Sequence, residues 1–122
     1  MQTLQQTFKI EETEKKDSLL EVLSDKYCRG IVESIQDVPK SVMEISYETK
    51  IPISTVYRRI QMLHDNKLLH VSGQITEDKK KLFLYKSKIK GIQSRYDDGK
   101  VDVELILCLL YTSPSPRDSI AS

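Results

Sequence analysis

The sequence predicts an α+β fold in which three to four short helices are followed by two β-hairpins. Three observations predict it. Apolar residues recur at helical spacing as far as Asn66 and at strand spacing after it. Two Ser residues, each followed three positions later by Glu, mark helix starts. Asp98 and Gly99, a favoured tight-turn pair, separate two alternating runs.

The elements follow in order. Residues 1–16 are polar, contain EETEKK, and read as a flexible lead-in or a frayed helix. Ser18 and Glu21 form the first capping-box pair, so a short helix through Leu20 and Leu23 is expected. A second helix starts near Asp25 and lines up Tyr27, Cys28, Ile31, Val32 and Ile35 on one face. The proline at position 39 ends it, because a residue before proline avoids the helical region. Ser41 and Glu44 form the second capping pair, opening a third helix with Val42, Ile45 and Thr49 inward. Lys50, Ile51 and Pro52 break the chain. A fourth helix then runs from about Ile53 to Asn66 with the stripe Val56, Ile60 and Leu63.

Beyond Asn66 the runs LLHVSGQI (68–75) and KLFLYK (81–86) are rich in strand formers and flank a charged turn at 76–80. A second hairpin is expected over 88–106, with Ile92, Ser94 and Tyr96 alternating on one arm and Val101, Val103 and Leu105 on the other. The organisation expected is therefore a lead-in at 1–16, a main domain at 17–87 and a hairpin extension at 88–107.

The tail is out of character with the rest. CLLYTSPSPRD, residues 108–118, resembles the translation of a transposase sequencing adapter. The stretch 108–122 is expected to be an artefactual, disordered tail, with the natural sequence readable to Leu107.

Composition narrows the function classes. The 122 residues fit one domain, and 39% hydrophobic with 30% charged residues suits a globular chain. The longest apolar stretch, 105–111, is too short to span a bilayer, and residues 1–16 hold no apolar signal core. A cytoplasmic protein with no membrane contact is expected. Cys28 and Cys108 build neither a disulfide framework nor a zinc cluster, and Cys28, on an apolar helix face, reads as a buried structural thiol. His64 and His70 lack a carboxylate at ligand spacing. No Gly-rich phosphate loop and no Ser-His-Asp or Cys-His pattern occurs, so no enzyme, metal or cofactor is predicted, and no small-molecule ligand is identifiable.

The net charge of +1 conceals a division. Residues 1–49 carry −4, residues 50–100 carry +7 and residues 101–122 carry −2. The cationic middle is the pattern of a localised anion-binding face. It coincides with the third and fourth helices, whose lengths and intervening break match a helix-turn-helix. Ser46 is small where the two helices should cross, and Ile51 and Val56 anchor the unit. Lys50 stands at a turn position where glycine is commoner, and a left-handed backbone there costs about 1 kcal/mol.

Rotation by about 100° per residue points Ser54, Arg58, Gln61 and Asp65 of the fourth helix away from the core, with Thr55 and Tyr57 on its flanks and Arg59 nearer the core edge. From Ile53 to Leu63 there is no acidic residue, unlike an ordinary solvated helix. Arg and Gln can bond guanine and adenine edges, while Ser, Thr and Tyr reach phosphates. The first hairpin, with Lys79, Lys80 and Lys81 at its tip, reads as a wing against the sugar-phosphate backbone. The fold class is then a winged helix-turn-helix with a second C-terminal β-hairpin.

The segment VMEISYETKIPISTVYRRIQMLHDNKLLHVSGQI resembles the winged helix-turn-helix of prokaryotic and archaeal transcription regulators, above all the arsenic-repressor-like (ArsR-type) group, over residues 17–90. The resemblance implies sequence-specific binding of double-stranded DNA by the helix carrying Ser54, Thr55, Tyr57, Arg58 and Arg59, and a possible homodimer. Metal-sensing members carry paired cysteines in the preceding helix. SVMEISYETK has none, so no metal is implied. The second hairpin also departs from the terminal dimerisation helix usual in that group. The reading is a transcription regulator in which Arg58 and Gln61 read bases, while Ser54, Thr55, Tyr57 and Arg59 fix the register on phosphates. A protein-interaction module in a multi-subunit complex, or RNA binding, are the alternatives.

Overall fold

The computed structural model describes residues 5–108, which form four helices and five strands. They are β1 (Gln5–Ile10), α1 (Thr13–Ser24), α2 (Lys26–Ser34), α3 (Val42–Thr49), α4 (Ile53–Asp65), β2 (Leu69–Ile75), β3 (Lys81–Ser87), β4 (Ile89–Asp97) and β5 (Lys100–Cys108). The expected tail beyond Cys108 lies outside the described residues, and Cys108 itself ends β5, opposite Gln5.

The helices form where local chemistry asks for them. Asp25 caps α2 by accepting the Cys28 backbone N–H at 2.8 Å. Ser41 and Glu44 close a full capping box on α3: the Ser41 hydroxyl accepts from the Glu44 N–H at 3.2 Å, and the Glu44 carboxylate accepts from the Ser41 N–H at 2.9 Å. One apolar stripe from each helix meets in a common core. Leu19, Cys28, Ile31, Ile35, Ile45, Val56 and Leu63 are all fully buried. Of the stripe expected on α2, Tyr27 and Val32 lie half-buried at its margin.

Two sheets complete the fold. The β2–β3 hairpin pairs Leu69 with Ser87 through Ile75 with Lys81. Lys40 adds a one-residue bridge to it, exchanging backbone bonds with Tyr85 at 3.0 and 2.9 Å. The second sheet has the order β1-β5-β4. Its β4–β5 hairpin turns at Asp98 and Gly99 with φ of 54° and 79°, the paired left-handed conformation of a type I′ turn. Ile92, Ser94 and Tyr96 stand opposite Leu105, Val103 and Val101, as the alternation required.

The N-terminal region differs from expectation in two respects. Residues 5–10, read as a flexible lead-in, form an edge strand paired antiparallel to β5. Phe8 and Ile10 fall on the face with Leu105 and Val103, and Ile10 is buried. The pairing joins the two ends of the described chain, so no local pattern announces it. The helix expected to start at Ser18 begins at Thr13, with Glu12 at its N-cap and no side-chain cap bond. Ser18 therefore lies inside α1, and its capping pair with Glu21 is not used. In the first turns of α1, Lys16 donates to the Val101 carbonyl at 3.0 Å, which ties the helix to the second sheet.

Candidate nucleic-acid interface

The α3–α4 connection is built by short-range bonds. The Thr49 hydroxyl donates back to the Ile45 carbonyl at 2.7 Å and accepts from the Ile51 N–H at 3.3 Å. The Ser46 hydroxyl donates to the Ile51 carbonyl at 2.7 Å, so this small residue does more than permit a close crossing: it ties the turn to α3. Lys50 closes α3 in the left-handed region at φ 63°. Its ammonium lies 4.6 Å from the centre of the Tyr47 ring. Ile51 is buried beneath.

This turn fixes the face that α4 presents. Val56, Ile60 and Leu63 are buried, while Ser54, Tyr57, Arg58 and Gln61 are exposed and Thr55 is half-buried. The Arg58 guanidinium makes no hydrogen bond or ion pair among the described residues. The Gln61 amide donates to Asp65 at 2.8 Å. Arg59 goes the other way. Its Nε donates to Asp25 Oδ2 at 2.8 Å, its Nη2 lies 3.4 Å from Oδ1, and its guanidinium sits 5.6 Å from the Tyr27 ring centre. Expected as a phosphate contact, the half-buried Arg59 ties α4 to the N-cap of α2. Sequence position alone placed it near the core edge and could not supply the partner, which lies 34 residues away.

The electrostatics follow this geometry. Burial alone would raise the Asp25 carboxyl, but the hydrogen bonds from Arg59 and from the Cys28 N–H outweigh it and hold the group below its ordinary value. The same ion pair raises Arg59. Burial, then the neighbouring Asp25, pushes the Cys28 thiol up to about 12, and that thiol meets Met62 Sδ at 3.9 Å. Burial also raises the Tyr85 hydroxyl, with the nearby Tyr57 adding to it.

At the wing tip, the Thr76 N–H donates to the Lys80 carbonyl at 2.9 Å, the Thr76 hydroxyl donates to the same carbonyl at 3.2 Å and accepts from the Lys80 N–H at 3.3 Å, and Lys79 takes the left-handed conformation at φ 63°. Lys79, Lys80 and Lys81 are all exposed. The stem of Lys81 lies across Gly73, and its ammonium sits 5.2 Å from the Phe83 ring centre. Two further exposed side chains were not anticipated. Tyr47 and Met43 of α3 are 77% and 65% exposed, large apolar groups on the helix face away from the core. Their position off the Val42–Ile45 stripe was the available signal.

Among solved structures, NolR from Sinorhizobium fredii matches with a TM-score of 0.51 over 63% of this chain and 72% of that one, at 16% sequence identity. The fold is a winged helix-turn-helix. No protein-family model matches the sequence, and no curated protein matches it. In this frame α3 and α4 are the helix-turn-helix and β2–β3 is the wing, while β1, β4 and β5 form an additional sheet beside them.

Proposed function

We propose that this chain is a transcription regulator of the ArsR-like type that binds double-stranded DNA sequence-specifically through α4. One observation carries the reading: α4 exposes Ser54, Tyr57, Arg58 and Gln61 on one face, without an acidic residue from Ile53 to Leu63, next to a hairpin with lysines at its tip. An α-helix fits the major groove, where an unpaired Arg58 can bond guanine in a bidentate way. Gln61 can exchange Asp65 for an adenine edge. Thr55 and Tyr57 are at the flanks and Ser54 is in the first turn of α4, where phosphates would lie. Arg59, tied to Asp25, serves by fixing the angle of α4. Lys79 and Lys80 add salt-dependent attraction to the backbone, and Lys81 does so from the wing face. In a homodimer, two α4 helices would lie about 34 Å apart, one turn of DNA.

The test is fluorescence anisotropy of the full chain against a duplex selected from a random pool, at several salt concentrations. A steep loss of affinity with salt, and a preference for the selected duplex over a scrambled one, support the reading. The exposed wing residues Val71, Ile75 and Phe83 favour a second reading, a protein-interaction module. Retention of a protein partner at high salt with no duplex binding would favour that one.

A further inference from the structure

A groove of about 310 Å³ runs between α2 and the start of β4. Leu23, Val32, Ile89 and Ile92 make its walls apolar. Both ends are built. At one, Arg29 Nη1 donates to the Leu23 carbonyl at 2.7 Å. At the other, Gln36 Nε2 donates to the Ile89 carbonyl at 2.9 Å. The register shift between Ile89 and Gly91 inserts Lys90 as an extra residue, on the rim. Neither Lys90 nor Arg29 has an ion-pair partner among the described residues, and Glu33 is the one carboxylate among the lining residues.

An apolar slot of this volume with a few polar groups at its edge suits a small ligand. The surplus of cations selects its charge. We propose that this groove binds an amphiphilic monoanion, an apolar chain or ring carrying one carboxylate, with the apolar part against Val32 and Ile92 and the carboxylate at the Lys90 rim.

Occupancy would be felt at the recognition helix. The wall of the groove is α2, whose N-cap Asp25 holds Arg59 of α4 and whose Cys28 touches Met62 of α4. A ligand that shifts α2 would therefore bias the angle of α4, and linkage requires DNA to alter ligand affinity equally. This regulatory consequence rests on the proposed DNA binding, whereas the binding site itself does not.

Octanoate is the probe, with octylamine as the control of opposite charge. Calorimetric titration of the full chain without DNA is expected to give saturable 1:1 binding of octanoate and none of octylamine. Val32→Trp, which fills the groove, is expected to abolish it. Lys90→Ala is expected to weaken it at least about tenfold while leaving the circular dichroism spectrum unchanged. Absence of octanoate binding, equal binding of octylamine, or binding indifferent to these variants would each overturn the site. A duplex affinity shifted by octanoate in the wild type but not in the Lys90→Ala variant is expected. Identical duplex curves with and without octanoate would overturn the regulatory role. If no duplex binds at all, the DNA reading fails while the DNA-free titration still decides the site.

Discussion

Arg59 and Asp25 face each other between α4 and α2, with Nε 2.8 Å from Oδ2 and Nη2 3.4 Å from Oδ1. The same carboxylate accepts the Cys28 N–H and so caps α2. One side chain thus starts a helix and sets the position of the next but one. Asp25→Ala removes both the cap and the ion pair, and is expected to destabilise the fold by about 1–2 kcal/mol. Asp25→Asn keeps much of the cap and is expected to cost less. Because the folded carboxyl is held below its unfolded value, its contribution is present above about pH 4 and is lost as pH falls through the folded value. Urea unfolding at pH 7 and pH 3 checks both points. The Asp25→Ala penalty should shrink at pH 3, and an unchanged penalty would contradict the linkage.

Cys28 is the second case in which burial decides chemistry. With its thiol raised to about 12, the thiolate fraction at pH 8 is very small. Cys108 is half-exposed at the end of β5. Treatment of the native protein with iodoacetamide at pH 8, followed by peptide mass spectrometry, is expected to label Cys108 and spare Cys28 until urea is added. Equal labelling of both in the native state would contradict the buried placement of α2.

The strand β1 tests the second sheet. Ile10 is buried opposite Val103, and truncating a buried Ile to Ala costs about 2–5 kcal/mol, with the lower end expected at a strand terminus. Ile10→Ala should lower the thermal midpoint, whereas Thr7→Ala, on the other face, should leave it nearly unchanged. Equal effects would mean that β1 is not packed in this register.

The wing lysines test the proposed division between affinity and specificity. Lys79→Ala with Lys80→Ala is expected to reduce the slope of log K against log salt by about 2, with little change in the preference between selected and scrambled duplex. A lost preference with an unchanged slope would place these residues on bases rather than on the backbone.

Much of this architecture was legible because its causes are local. The Ser41–Glu44 capping box, the stripe Val56, Ile60 and Leu63, the left-handed Lys50 and the Asp98-Gly99 turn are each decided within a few residues. Such signals placed α2 to α4 and both hairpins within one or two residues. What escaped depends on partners far along the chain. QQTFKI becomes a strand only because β5 lies beside it, nearly a hundred residues on. Ser18 and Glu21 have the spacing of a cap, but α1 starts earlier, at Thr13, and is tied to β5 through Lys16. The outward positions of Ser54, Arg58 and Gln61 came from helical rotation alone. The pairing of Arg59 required Asp25, and the seat of Lys81 over Gly73 required the strand register.

The account rests most on Arg58, exposed on α4 and without a protein partner among the described residues. The decisive measurement is the affinity of wild-type and Arg58→Ala chains for the selected duplex and for a scrambled duplex at one salt concentration. Arg58→Ala is expected to weaken binding of the selected duplex by about 1–3 kcal/mol and of the scrambled duplex far less, with the fold intact. Equal affinity of the two proteins for the selected duplex would contradict the placement of α4 in the major groove.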